Sequence, residues 1–526
     1  MKTVLLSIDS RYIHAPLAPF CLKEYANCGR AVSERFDIRI ALTNINMPTS
    51  EIVREAADGQ PDLIGISAYV YNREKALETL RILRERTDAF LFAGGPEASA
   101  DPDAFLEAGA SYVIRGEGEE SFKRLLSGFP QVVPKGAEDG KPLEYSYSPY
   151  SLEYFAAAKG KLAYFESSRG CPYRCSYCMS ADRLEVFDIE AVKAELRKFK
   201  GADIRVLKFT DRTFNADLSR AKLLARFLTE EFSEGNFPFH FEIAPDLWDG
   251  EWIDILRRAG KLFRLETGFQ SFTQKTLDAV GRKQNSERGK EFLRRLKAPN
   301  AVFSEEKRGT EASPCTVHAD LIAGLPYEDM RGIEASFDTL YVLRPDEIQL
   351  GILKLLKDSR IRKDADTGVF DITQNGTVRT YRYEELAPYS VTETPWLDTK
   401  EIALVKRVAI TVDKIYNSGR FGNTLEYVLN GNTTFDNTPK HALNGNAPYK
   451  FFEDFTRYLL EKSIDPHAVY LDALFGAMLD FLSSRFDRGE IKRLLIQDYL
   501  ERVNFRLPRE LRGSGKSGIK MVESWE

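Results

Sequence analysis

Ser168-Arg169-Gly170-Cys171-Pro172-Tyr173-Arg174-Cys175-Ser176-Tyr177-Cys178 is the stretch on which the reading of this chain turns. Three of the six cysteines in 526 residues fall between positions 171 and 178, while Cys21, Cys28 and Cys315 are scattered. Six are too few for a disulfide framework in so long a chain. Three thiolates spaced C-x3-C-x2-C on one loop can converge on one inorganic centre, and iron–sulfur clusters are held by thiolates, usually four per cubane. Three local ligands leave one iron open. Other readings stay open on spacing alone. A zinc knuckle requires four closed ligands, and no second Cys or His pair stands at suitable spacing. The three cysteines can be unrelated buried residues, or a four-cysteine electron-transfer cluster can recruit Cys315 or Cys21.

Outward from the loop, Leu162–Glu166 reads as a strand with the cysteines at its carboxyl end. Further strand patterns follow at Val206–Phe209, Phe239–Ile243, Phe263–Thr267, Ala319–Ala323 and Ile348–Leu353. Helical spacing lies between them at Ala191–Phe199, Leu218–Leu228 and Trp252–Arg258. Six β/α units predict a partial (β/α)6 barrel, whose chemistry belongs at the carboxyl ends of its strands. Upstream, Val4–Ile8, Ile38–Leu42, Leu63–Ser67, Phe90–Ala93 and Tyr112–Arg115 alternate with helical segments such as Glu74–Arg86. That predicts an α/β, doubly wound, Rossmann-like domain with a five-stranded parallel sheet. Gly94-Gly95-Pro96 and Gly116-Glu117-Gly118 end two of these strands, where such sheets bind ligands. Lys141–Leu152 reads as a linker, Pro299–Pro314 as a surface excursion, and the Gly513-Ser514-Gly515-Lys516 tail as flexible. Beyond residue 380, helical patterns at Ile402–Tyr416, Tyr449–Leu460 and Ala468–Phe486 predict a mainly α-helical region, interrupted by the Gly/Asn-rich Asn417–Asn446. The domain boundaries expected are 1–140, a linker at 141–160, 161–380 and 381–526.

With 43% apolar and 29% charged residues, the composition is that of a soluble globular protein, and the net charge of −5 disfavours a dedicated nucleic-acid binder. No run approaches the roughly 18 uncharged apolar residues of a membrane span. The apolar start Val4-Leu5-Leu6-Ser7-Ile8 is broken by Asp9 and Arg11 too early for a signal peptide, so a cytoplasmic location is expected.

The cysteine loop is similar to the signature of the radical S-adenosylmethionine (SAM) superfamily. The chain resembles its cobalamin-binding branch, in the subgroup with a helical C-terminal domain of unknown function, over residues 1–400. The resemblance implies that Cys171, Cys175 and Cys178 ligate a 4Fe–4S cluster whose open iron chelates the amino and carboxylate groups of SAM. Reductive cleavage then yields a 5′-deoxyadenosyl radical, and Tyr177 packs near adenine. Phe209-Thr210-Asp211-Arg212-Thr213-Phe214 resembles the family's F-x-D-x-x-F element, which puts Asp211 beside the methionyl amino group; the plainer reading is a turn or cap aspartate. Glu242 and Glu266 interrupt apolar strands, so each points outward or into the barrel mouth, and burial without a partner is costly. The resemblance places both near the ribose and methionyl group. Thr267-Gly268-Phe269-Gln270-Ser271 resembles the G-x-Q-S turn, with Gln270 at the same site. Asp320-Leu321-Ile322-Ala323-Gly324-Leu325-Pro326 resembles the strand that packs on adenine, with Gly324 at the close approach. Arg169 and Arg174 read either as partial compensation for cluster charge or as solvated residues, and Lys354 and Lys357 as anion neutralisers or solvated lysines.

A D-x-H-x-x-G cobalt-ligating motif is absent. Four residues separate Asp9 from His14, and Leu17 stands where the glycine belongs, so His14 reads as a structural or loop residue. Cobalamin binding is implied instead by Ser67, Gly94, Gly95, Gly116 and Glu117 at strand ends that surround the nucleotide tail in this domain class. The joint implication is methylation of an unreactive carbon on a small-molecule or peptide substrate, with electrons from a flavodoxin- or ferredoxin-like donor. A radical rearrangement or cyclisation without methyl transfer, and a cobalamin- and redox-responsive binding protein without catalysis, are the alternatives. No side chain is assigned a catalytic role. Pro388-Tyr389 and Pro395-Trp396-Leu397 either wall the site or pack a core.

Overall fold

The computed structural model describes residues 1–512 except 133, 141–146, 181–182, 236, 299–314, 375, 431–446 and 505. The surface excursion at 299–314, the tail after 512, the start of the linker and most of the Gly/Asn-rich connection therefore lie outside the described residues.

The N-terminal sheet is parallel throughout and has the strand order β2-β1-β3-β4-β5-β6. Its members are β1 (Lys2–Asp9), β2 (Asp37–Asn44), β3 (Leu63–Ser67), β4 (Phe90–Gly94), β5 (Tyr112–Arg115) and β6 (Gly136–Asp139). The last was missed, because its sequence is short and polar; it joins through register with β5, pairing Val113 with Ala137. Apolar cores cover both faces, one around Leu6, Ile66 and Leu80 and the other around Leu5, Phe92 and Phe122. The order reverses between β1 and β3, which leaves a crevice at their carboxyl ends.

The second sheet is also parallel, in the order β14-β13-β12-β11-β10-β7. It comprises β7 (Leu162–Phe165), β10 (Val206–Phe209), β11 (Phe239–Ile243), β12 (Phe263–Gln270), β13 (Thr316–Ala323) and β14 (Glu347–Ile352). The two-residue strands β8 (Ser168–Arg169) and β9 (Glu185–Val186) clasp the stem of the cysteine loop. Along the barrel strands burial alternates. Phe239, Phe241 and Ile243 are buried against the surrounding helices, whereas His240 and Glu242 are half-buried.

An incomplete barrel has two exposed edges, and each is covered by an appended segment. On β7, the N-terminal loop adds a β-bridge, with Leu162 N–H donating to Ile13 O at 2.8 Å and Ala15 N–H to Leu162 O at 3.0 Å. On β14, the Asn417 side chain accepts from Ile348 N–H at 2.8 Å and donates to Ile348 O at 3.1 Å. The C-terminal helices continue the barrel core without a break: Phe337 and Tyr341 of the helix Met330–Val342 pack on Phe452 of Pro448–Glu461. The helical expectation holds there, with an additional helix at Arg488–Arg502 and two small antiparallel ribbons, Ile372–Gln374 with Thr377–Arg379 and Arg382–Tyr383 with Val391–Glu393.

Part of the expected linker is folded. Residues Leu152–Ala158 form a helix capped by Ser151, and buried Tyr154 hydrogen-bonds the β7 backbone at Tyr164. Among the described residues, no helix is long and apolar enough to cross a membrane.

Candidate functional site

Two cavities occupy the carboxyl ends of the two sheets. The larger, about 630 Å³, lies between the domains. Its inner part is a slot between the sheet residues Leu5, Gly65, Phe92 and Ile114 and the helix Ala18–Asn27, which contributes Ala18, Cys21 and Leu22. Ser67, Gly94, Gly95, Gly116 and Glu117 line it at the strand ends. Glycine is required at 95, where φ is +93° and a Cβ would stand 2.6 Å from Ala68 O. At Gly65 a Cβ would enter the Phe92 ring, at 2.2 Å, so only glycine keeps that ring against the slot wall. The barrel-side wall is polar, with Tyr164, Lys208, Arg212 and Glu242. His14 also lines this cavity and shares a 2.8 Å hydrogen bond with Tyr164 OH through Nδ1. A cavity with an apolar part and a polar wall fits a cofactor that presents both kinds of surface, as cobalamin does.

The smaller cavity, about 230 Å³, is lined by Cys171, Cys175, Cys178, Tyr177, Glu242, Glu266 and Gln270 together. Among the described residues, no three His, Cys, Asp or Glu side chains gather closely enough for a single metal ion. The three thiols border one space without meeting at a point, a donor set that fits a polynuclear iron–sulfur cluster better than the tetrahedral zinc knuckle. Cys315 is remote from this cavity: it is buried and its thiol donates to Leu256 O at 2.8 Å. Gln270 has φ +66° at the bulged end of β12, and its buried Oε1 has no hydrogen-bond partner among the described residues.

The carboxylates owe their states to their neighbours in the barrel lumen. Burial opposes ionisation of Glu266, but His240 Nε2 and Lys208 Nζ, both at 2.8 Å, outweigh it and hold this carboxyl well below the usual range. Burial raises the Glu242 carboxyl, the Glu266 charge adds to the rise, and Lys208 at 3.6 Å offsets only part of it. Desolvation at Glu242, and the His240 and Lys208 contacts at Glu266, thus leave two adjacent carboxyls with different proton affinities.

Several expected positions differ. Asp211 is buried and turned away from the smaller cavity; it accepts from Ser167 N–H at 3.0 Å and from the Ser167 and Ser168 hydroxyls at 2.6 Å each. Desolvation demands such partners, so Asp211 braces the stem of the cysteine loop. Gly324, with φ +94°, lies outside the residues lining either cavity and accepts from Tyr381 OH at 3.0 Å. Arg169 is committed across the domain boundary to Glu117 at 2.7 Å and Glu119 at 2.6 Å, and within its own domain to Glu166 at 3.0 Å, so it does not compensate the cluster. The guanidinium that faces the thiols is Arg282, 3.8 Å from Cys175 Sγ and 3.2 Å from Tyr177 OH. Lys357 ion-pairs Asp101 of the N-terminal domain, and Tyr389 is fully buried with its hydroxyl donating to Glu97 at 2.8 Å. Arg212, Lys208, His240 and Arg282 escaped sequence reasoning. Lys208 and His240 meet only through strand register, and Arg282 reaches the cysteines from a separate loop.

Two stacked α/β units, with thiols in the loop after the first barrel strand and a slotted crevice facing them, define a radical SAM protein with a cobalamin-type domain. The chain belongs to the cobalamin-binding branch of the radical SAM superfamily. Family models match as Radical SAM superfamily over residues 165–339, B12 binding domain over 26–126, and Protein of unknown function (DUF4080) over 380–512. It is 28% identical over 376 residues to 2-(S-pantetheinyl)-carbapenam-3-carboxylate methyltransferase of Streptantibioticus cattleyicolor, covering 62% of this chain and 51% of that protein. It is 25% identical over 379 residues to the cobalamin-dependent radical SAM methyltransferase TokK of Streptomyces tokunonensis, covering 63% and 52%. The chain therefore spans about half the length of these curated relatives. The fold is shared with TsrM from Kitasatospora setae, a radical SAM methyltransferase solved with cobalamin and a [4Fe-4S] cluster, at TM-score 0.56 and 15% identity over 94% of this chain and 99% of that one.

Proposed function

We propose that this protein is a cobalamin-dependent radical SAM methyltransferase acting on an unreactive carbon of a small-molecule or peptide substrate, with a one-electron protein donor. The observation that carries this reading is that the cysteine-lined and interdomain cavities share two wall residues, Arg212 and Glu242, so one substrate can face both. When bound, the cluster supplies one-electron cleavage of SAM to a 5′-deoxyadenosyl radical and cobalamin supplies a transferable methyl group. Cys171, Cys175 and Cys178 would hold the cluster, Gln270 Oε1 would accept from the SAM ammonium, and Glu266 would accept from ribose hydroxyls. Ser67 and the glycines at 94, 95 and 116 would admit the corrinoid and its tail. The Arg169 ion pairs keep the two cavities apposed and help exclude water from the space between them.

Oxygen-free rebuilding with iron, sulfide and hydroxocobalamin tests the reading, scoring S-adenosylhomocysteine and 5′-deoxyadenosine separately. Both should form. Changing Cys171, Cys175 and Cys178 all to Ala should abolish 5′-deoxyadenosine while cobalamin is still retained. 5′-Deoxyadenosine without S-adenosylhomocysteine would instead support a radical reaction without methyl transfer.

A further inference from the structure

We propose that the substrate is an anion and that Arg212 pairs with its carboxylate or phosphate group where the two cavities meet. This rests on the radical-methylation reading, since only a reaction drawing on both cavities requires its substrate at their junction. Arg212 and Glu242 are the two residues that border both. Glu242 has a cation nearby in Lys208, at 3.6 Å. Arg212 has no carboxylate at ion-pairing distance among the described residues, and its charge reaches Glu242 only from further off. The acid beside it in sequence, Asp211, is turned inward onto Ser167 and Ser168.

Three neighbouring cations, Lys208, Arg169 and Arg282, are committed among the described residues. Lys208 is held by Glu266 at 2.8 Å, Arg169 by three glutamates, and Arg282 by Tyr177 and by Gln284, whose Oε1 accepts from Nε at 2.7 Å. Arg212 and Lys283 have no ion pair among the described residues, and of the two only Arg212 borders both cavities. A guanidinium offers a planar fork of N–H donors that matches carboxylate and phosphate oxygens bidentately. Set in the shared wall, it would hold an anionic group at the boundary and leave the rest of the substrate against Ile243 and Ala244, which also line the smaller cavity.

Residue-resolved phenylglyoxal modification tests this on wild-type protein carrying the cluster and hydroxocobalamin, with Arg212 followed by mass spectrometry. Phosphate and malonate are the probes, and chloride at equal ionic strength is the control. Phosphate or malonate should slow Arg212 modification about tenfold at roughly ten times its dissociation constant, while chloride does not. The better protector distinguishes a phosphate from a carboxylate substrate. Protection by neither anion, or equally by chloride, overturns the proposal. So does protection by SAM alone, or by hydroxocobalamin alone when compared with corrinoid-free protein, because the guanidinium would then belong to a cofactor. No turnover is involved, so a failed methylation assay and a failed protection assay are separate results.

Discussion

Glu328 is a buried carboxylate with no ion pair among the described residues. It is 2% exposed, and its Oε1 accepts from the hydroxyls of Ser271 at 2.5 Å and Ser336 at 3.3 Å. Desolvation pushes the Glu328 carboxyl up from 4.5 to about 7, and the serine hydroxyls offset only part of that. The folded state therefore holds this proton more tightly than the unfolded chain. Stability should fall as pH rises from about 4.5 through about 7, then level off. Glu328→Gln keeps an acceptor and removes the ionisation, so its urea midpoint should change less between about pH 5 and about pH 8 than the wild-type midpoint does. A steeper change in the variant would refute the assignment. Legibility at this scale was uneven. Cys171, Cys175 and Cys178 were visible because their donors are contiguous in sequence. Asp211 was not, since which way a carboxylate turns depends on hydroxyls 43 and 44 residues upstream.

The strand edges and the interdomain slot belong to the scale of elements. Asn417 gives the last barrel strand the pairing that a further strand would otherwise provide. Asn417→Ala leaves the N–H and C=O of Ile348 without that partner, at a cost of about 1–3 kcal/mol. A lower denaturant midpoint with an unchanged slope should report it. In the N-terminal domain, Ala18 stands on the helical wall of the slot facing the sheet. Ala18→Phe should fill the slot, so that cobalamin is lost on desalting while the iron–sulfur absorption is kept. Retention of cobalamin would place the tail elsewhere. Most strands were legible from their apolar runs, and β3, β5, β10 and β11 match their expected bounds residue for residue. β6 was not, because its sequence Gly-Ala-Glu-Asp has no apolar signal and register with β5 alone makes it a strand.

At the scale of the whole molecule, two ion-pair systems lock the N-terminal domain to the rest. Arg169 gathers Glu117, Glu119 and Glu166, and burial pushes the Glu166 carboxyl up to about 7 even with this guanidinium beside it. In a second system, Glu97 and Asp101 receive Arg73 from their own domain and Tyr389 and Lys357 from after the last barrel strand. Arg169→Met strands three carboxylates in a half-buried interface, so destabilisation on the order of 3 kcal/mol is expected, with the acids exposed by opening of the interface. Small-angle scattering should then show a larger radius of gyration, and cobalamin should be released faster on gel filtration. An unchanged radius and melting temperature would show that the clamp contributes little.

By itself the sequence determined the clustered-thiol loop, the two α/β units and the helical C-terminal region, because each is written in local signals: clustered thiols, apolar runs and helical spacing. Tertiary structure alone decided which charges meet. Lys208 divides its influence between Glu242 and Glu266 through register across parallel strands, and Arg169 serves the domain boundary instead of the cluster two residues away. The two cavities share Arg212 because separate sheets converge there. Such pairings depend on direction and distance in three dimensions, and neighbouring positions in a chain do not specify either.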